Sequence, residues 1–250
     1  MASWFGVVLR SPRKQDFAYN VAFSGHRCAH LTLPRGQVTQ LEDELRRDPS
    51  AWSESVAVIR IGINDLGTQS RLRLVANADS NPEAARALQE CLRDIAVAVD
   101  RLHATVPTLR VVLAGIADNT GWPPLHGAFQ SEVEILRLER YHDAFDDGLR
   151  DIAAQRSRVA FLDERALFRR YWGSRSATGV PEYRSVHIGG LSVTPTQGDG
   201  IEHMTLADGH AGTVANTLWA KTLVDVLIDS LDVEMPRVTV AELEAFLRGL

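Results

Sequence analysis

The chain has few cysteines, no long apolar run and no excess of positive charge. Its two cysteines among 250 residues, Cys28 and Cys91, form neither a disulfide framework nor a zinc motif, so they read as reduced core thiols. No apolar run approaches the ~18–20 residues of a membrane-crossing helix, so no transmembrane span is expected. A formal net charge of −5 offers no electrostatic case for binding nucleic acid or an anionic membrane. Neither GxGxxG nor GxxxxGK[ST] occurs, which leaves a nucleotide-binding doubly wound domain with little support. His26, His30, His103, His126, His142 and His187 are scattered without HExxH or other ligand spacing. No metal or other cofactor is therefore expected. The start "MASWFGVVLRSPRK" is apolar and then basic, the reverse of a signal peptide. As written the chain reads as cytoplasmic, with secretion the alternative if the polypeptide begins upstream.

What is present is ordinary globular usage, 45% hydrophobic and 24% charged, at a length that suits one α/β domain over 1–250. Strand candidates lie at Tyr19–Phe23, 56–64, 109–118 and 158–164. Between them come helical patterns at 34–49, from Pro82 to about 105, and at roughly 131–155. The stretch after 164 is irregular to about 205. A helix follows at 212–231, and a last one at about 239–249 opens on Thr239 with Glu242 as a capping box. Apolar strands alternating with helices predict a parallel sheet covered on both faces.

Ligands of such sheets bind beyond the C-terminal ends of the strands. The polar residues there are Ser24-Gly25-His26, then Gly62-Ile63-Asn64-Asp65, then Asp118-Asn119, and a late loop "LADGHAGTV" from Leu206 to Val214. His210 is the best base candidate, because an imidazole moves protons near neutral pH and a nearby carboxylate can fix its tautomer. Asp208 is the preferred partner and Asp199 a competitor; His203 is a second base candidate. A plain helix start with an exposed histidine is the alternative reading. Gly25 lets a backbone N–H approach a reacting oxygen, and the Asn64 amide can donate to the same oxygen. Asn-Asp-Leu-Gly is also good turn chemistry. Trp122-Pro123-Pro124 lies on the same side of the sheet and reads either as pocket lining or as loop packing.

In order, "YNVAFSG", "VIRIGINDLG" and "LADGHAGTVANTLWA" resemble the SGNH (GDSL-type) hydrolase family over roughly residues 4 to 228. "LPRGQVTQLEDEL" looks like the segment after that family's Gly block. The resemblance implies a three-layer α/β/α, flavodoxin-like fold and a serine esterase acting on a small-molecule ester. It implies Gly25 and Asn64 as oxyanion-hole donors, supported by Gly62 and Asp65, with His210 as base and Asp208 as its orienting partner.

Two departures stand out. The family's Gly-Asp-Ser nucleophile block is absent, and "ASWFGVVLRSP" looks like the helix that follows it. The first strand is thus expected to be missing and the nucleophile to lie upstream of Met1. Ser3, Ser11 and Ser24 are poor substitutes, since none has the strand-end neighbours of a nucleophile. The spacing Asp208-Gly209-His210 is also one residue shorter than the family's Asp-x-x-His. A catalytically inactive relative that binds carbohydrate or acyl groups is the alternative function.

Overall fold

The run Val56–Arg60 is rich in β-branched residues and alternates in burial, with Ala57 and Ile59 inside and Val58 and Arg60 outside. In the computed structural model, which describes residues 19–176 and 178–249 and the backbone of β1 (Ser3–Trp4) and β2 (Val7–Val8), this run is β3. It pairs in parallel with β4 (Arg110–Ala114), and β4 with β5 (Val159–Leu162), giving the order β3-β4-β5. Val56 stands opposite Arg110 and Arg60 opposite Ala114, so β3 and β4 end level.

Helices occupy both sides of the sheet. α1 (Gln37–Leu45), α4 (Pro82–Thr105) and α5 (Glu132–Ala154) bury Leu45, Ile95, Val99, Leu102, Phe145 and Leu149 against Ile59, Val111 and Leu113. α7 (Thr213–Leu231) packs Trp219, Leu223, Val226 and Leu227 on Val112, Ala114, Ala160 and Leu162. The fold is thus the three-layer α/β/α arrangement. The second face is less complete than the sequence predicts, because α7 covers β4 and β5 while Val58 of β3 stays 42% exposed.

Three local expectations are corrected, and the unassigned stretch after β3 resolves into helices. Tyr19–Phe23 is not a strand: no neighbouring strand pairs with it among the described residues, and the Ala22 N–H bonds the Asn20 side chain instead. The described backbone near the start is the antiparallel pair β1–β2 rather than a helix, in keeping with the β-forming Trp4, Val7 and Val8. The stretch after β3 contains α2 (Ile63–Leu66) and α3 (Gln69–Ala76), the latter capped by Thr68 and burying Leu72, Val75 and Ala76. The stretch after 164 holds α6 (Glu164–Trp172) and five short strands: β6 (Gly173–Arg175), β7 (Pro181–Tyr183), β8 (Val186–Ile188), β9 (Leu191–Gln197) and β10 (His203–Thr205). Their short, mixed runs carry no long period, so packing rather than pattern defines them. Phe168, Trp172, Val186, Ile188, Val193 and Met204 form a second core there with Leu218 of α7. Leu243 and Leu247 of α8 (Val240–Arg248) join it, and Thr239 with Glu242 forms the capping box.

The buried face of α5 carries charge. Arg165 donates from Nε to Asp146 at 2.6 Å and pairs also with Asp143. Burial pushes the Asp146 carboxyl up to about 6 and the His142 imidazole down to about 4. The two act in opposite directions on stability. A histidine held neutral contributes stability that is complete above its free value of 6.5 and is lost as pH falls through about 4. Replacing His142 by Gln should therefore leave a protein that loses less stability than the parent between pH 6.5 and 4. Urea unfolding at each pH measures the difference, which should widen steadily as pH falls across that range. Parallel curves for the two proteins would contradict the assignment.

Candidate active site

β3 ends at the residues that build the corner. Gly62 has a φ of 116°, in the left-handed region, and a Cβ there would stand 3.0 Å from the Phe145 ring. Glycine thus lets the chain turn from strand into α2 while packed on α5. The turn presents Asn64 and Asp65 side by side toward the 24–28 loop. Asn64 Nδ2 donates to the His26 carbonyl at 2.9 Å, and Asp65 Oδ2 accepts the Cys28 N–H at 2.9 Å. An amide nitrogen carries two hydrogens, so Asn64 keeps one for another acceptor. Burial raises the Asp65 carboxyl, while the Cys28 N–H and the charges of Arg27, His30 and Arg71 pull it down.

The same loop is tied to α4. Cys28 and Cys91 form a disulfide, which corrects the expectation of two reduced thiols. Their separation of 63 residues hid the pairing, since the fold alone brings the end of the loop against the middle of α4. Gly25 has a φ of 77°, and both it and Ser24 are exposed.

The late loop is built from the strands before it. The Leu206 N–H bonds the His210 carbonyl at 2.8 Å, and the Gly209 N–H bonds the Leu206 carbonyl at 2.9 Å. Trp122 Nε1 donates to the Gly209 carbonyl at 2.8 Å. At the end of this turn Asp208 Oδ1 lies 3.0 Å from His210 Nδ1 and also accepts the His210 N–H at 3.0 Å. These bonds, the backbone one first, hold the Asp208 carboxyl below its usual range. With Nδ1 facing the carboxylate, Nε2 is the free, proton-accepting nitrogen of the neutral ring. Asp199 is engaged elsewhere, accepting the Ala207 N–H at 3.0 Å. His203 bonds Thr196 Oγ1 at 2.8 Å.

Asn64, Asp208 and His210 line one cavity of about 650 Å³ together with Trp122 and Pro124. Gly25 and Ser24 do not line it, although the Asn64–His26 bond holds their loop beside it. Among the described residues no serine lines the cavity; Ser3 and Ser11 lie outside the residues whose side chains are described.

Sequence reasoning missed Arg60 and Glu164, which also line the cavity. Glu164 is 4% exposed; Arg60 binds it through Nε and Nη2, and Trp219 Nε1 donates to it at 2.6 Å. A charge inside "VIRIG" was the available signal, because a cation in a core strand calls for a buried partner.

Comparison with known proteins matches residues 1–188 to the model of the GDSL-like lipase/acylhydrolase family. The chain belongs to this family. The match covers Gly25 and Asn64 and ends before the Asp208–His210 loop. Among solved structures, the chain is similar to an extracellular lipase from Streptomyces rimosus, at 19% identity and a TM-score of 0.39. The similarity covers 63% of this chain and 64% of that one, so the GDSL-like chain spans just under two thirds of that lipase. No curated protein matches it significantly.

The Cys28–Cys91 bridge closes a long loop whose free ends would otherwise add entropy to the unfolded chain. Cys91→Ser should lower stability by roughly 4 kcal/mol, read as a shift in the denaturant midpoint under non-reducing conditions. An unchanged midpoint would show that the pair does not constrain the loop.

Proposed function

We propose that the chain is an ester hydrolase of the serine acyl-enzyme type. The juxtaposition of Asn64 with the Asp208–His210 pair in one cavity carries this reading. In it, His210 Nε2 takes the proton of a serine hydroxyl as that oxygen attacks the ester carbonyl. Asp208 keeps the ring in its tautomer and stabilises the imidazolium. The oxyanion is received by the second N–H of the Asn64 amide and the backbone N–H of Gly25. The alcohol leaves with the proton from His210, and water, activated by the same ring, releases the acid.

The serine comes from upstream of the residues that line the cavity. Support comes from the edge of β3, which no described strand pairs with. A second cavity, of about 210 Å³, runs along that edge and is lined by every residue from Ser55 to Ile61. Consecutive residues of a strand point to opposite faces, so a cavity touching all of them follows the backbone edge itself. A further strand there would end beside Asn64. The absence of a serine from the described lining favours a second reading, an inactive module that binds carbohydrate or acyl groups in the same cavity. The Cys28–Cys91 disulfide supports an oxidising compartment over the cytoplasmic reading.

Hydrolysis of p-nitrophenyl acetate by the chain, and by the polypeptide extended to any in-frame Gly-Asp-Ser upstream, tests these readings. His210→Ala should cut turnover by about a thousandfold or more, and Asn64→Ala by roughly a hundredfold. Near-normal rates in either variant would remove that residue from the mechanism. No turnover by either polypeptide would leave the inactive module.

A further inference from the structure

Asn119 stands apart from the residues used so far. It lies in the loop after β4, 4% exposed, and lines the cavity shared by Asn64 and His210. Its Nδ2 is buried without a hydrogen-bond partner, and its side chain bonds no described residue. The backbone around it is set firmly. Asp118 Oδ1 accepts the N–H groups of Thr120 and Gly121 and the Thr120 hydroxyl, the last at 2.7 Å, and Arg175 Nη2 donates to the Thr120 carbonyl at 3.0 Å. The amide rests against Gly67, where a Cβ would stand 2.7 Å from Nδ2. A firmly placed carboxamide with its bonds unmet is costly to the free protein, and that cost is recovered when a ligand supplies the missing partner.

The chemistry of the cavity narrows the ligand. The Arg60 charge is spent on Glu164, and Asp208 is hydrogen-bonded to His210, so no free cation is on offer to an anionic ligand. What remains are the carboxamides of Gln69, Asn119 and Asn216 and the indole of Trp122. A carboxamide both donates and accepts, and its terminal torsion has two broad wells, so either atom can face the cavity. A hydroxyl has the same dual character. The geometry points to Asn119 as a specificity residue that binds a hydroxyl on the alcohol portion of a neutral ester. The choice of an ester rests on the hydrolase reading; the unmet amide does not.

The test is binding to the full chain of two acetates of equal ring size, methyl 6-O-acetyl-glucopyranoside and cyclohexylmethyl acetate, followed by NMR titration. Asn119→Ala should weaken the glycoside roughly five- to tenfold and the cyclohexyl ester less than twofold. Its melting temperature should not fall, since the substitution deletes an unpaired polar group. Asn119→Ser should restore part of the preference. Equal weakening of both esters, unchanged affinity for the glycoside, no glycoside binding by the parent, or a melting temperature lower by several degrees would each overturn the inference. Selective binding without turnover in any form of the polypeptide supports Asn119 and contradicts the hydrolase reading. Turnover without the selective loss does the reverse.

Discussion

Two hydrogen bonds hold the 24–28 loop to the end of β3, one from Asn64 Nδ2 to the His26 carbonyl and one from the Cys28 N–H to Asp65 Oδ2. Everything proposed for the site depends on them. They place the Gly25 backbone beside the cavity and orient the Asn64 amide so that one hydrogen remains unspent. The disulfide to α4 then limits how far the loop can move away. Adjacent side chains perform both tasks because the left-handed Gly62 turns strand directly into helix.

The other half of the site has a separate origin. His210 and Asp208 are carried by the turn after β10, braced by Trp122 from the loop after β4. Cores on different parts of the chain therefore converge on one cavity: the sheet with α4 and α5 supplies Asn64, and the packing of α6 with β8–β10 supplies His210. Such a site is sensitive to core changes far from it, since displacing either core alters the gap between Asn64 and His210.

The helices and sheet strands were legible where the apolar pattern is long. α4, α5 and α7 each repeat over five or more turns, and β4 is apolar from Val111 to Ala114. Elements defined by partners rather than by period were not: the Tyr19–Phe23 run looks like a strand but has no ladder, and β6–β10 look irregular but pair. Within the site, Asn64, Asp208 and His210 were readable because each sits in turn chemistry at an element end. Asn119 was named only as a strand-end polar residue, its unmet amide being visible only once the fold buries it. Arg60 and Glu164 were not singled out, because their bond spans about a hundred residues of chain. The cysteine pair failed for the same reason.

The central claim is that the Asn64–His210 cavity serves a serine nucleophile that is not among the described residues. Labelling the polypeptide expressed from its own gene, including any sequence upstream of Met1, with a fluorophosphonate and mapping the modified peptide by mass spectrometry tests it directly. One labelled serine outside residues 19–249, lost on prior heat denaturation, is the predicted result. No labelling, or labelling at Ser24, would contradict the account.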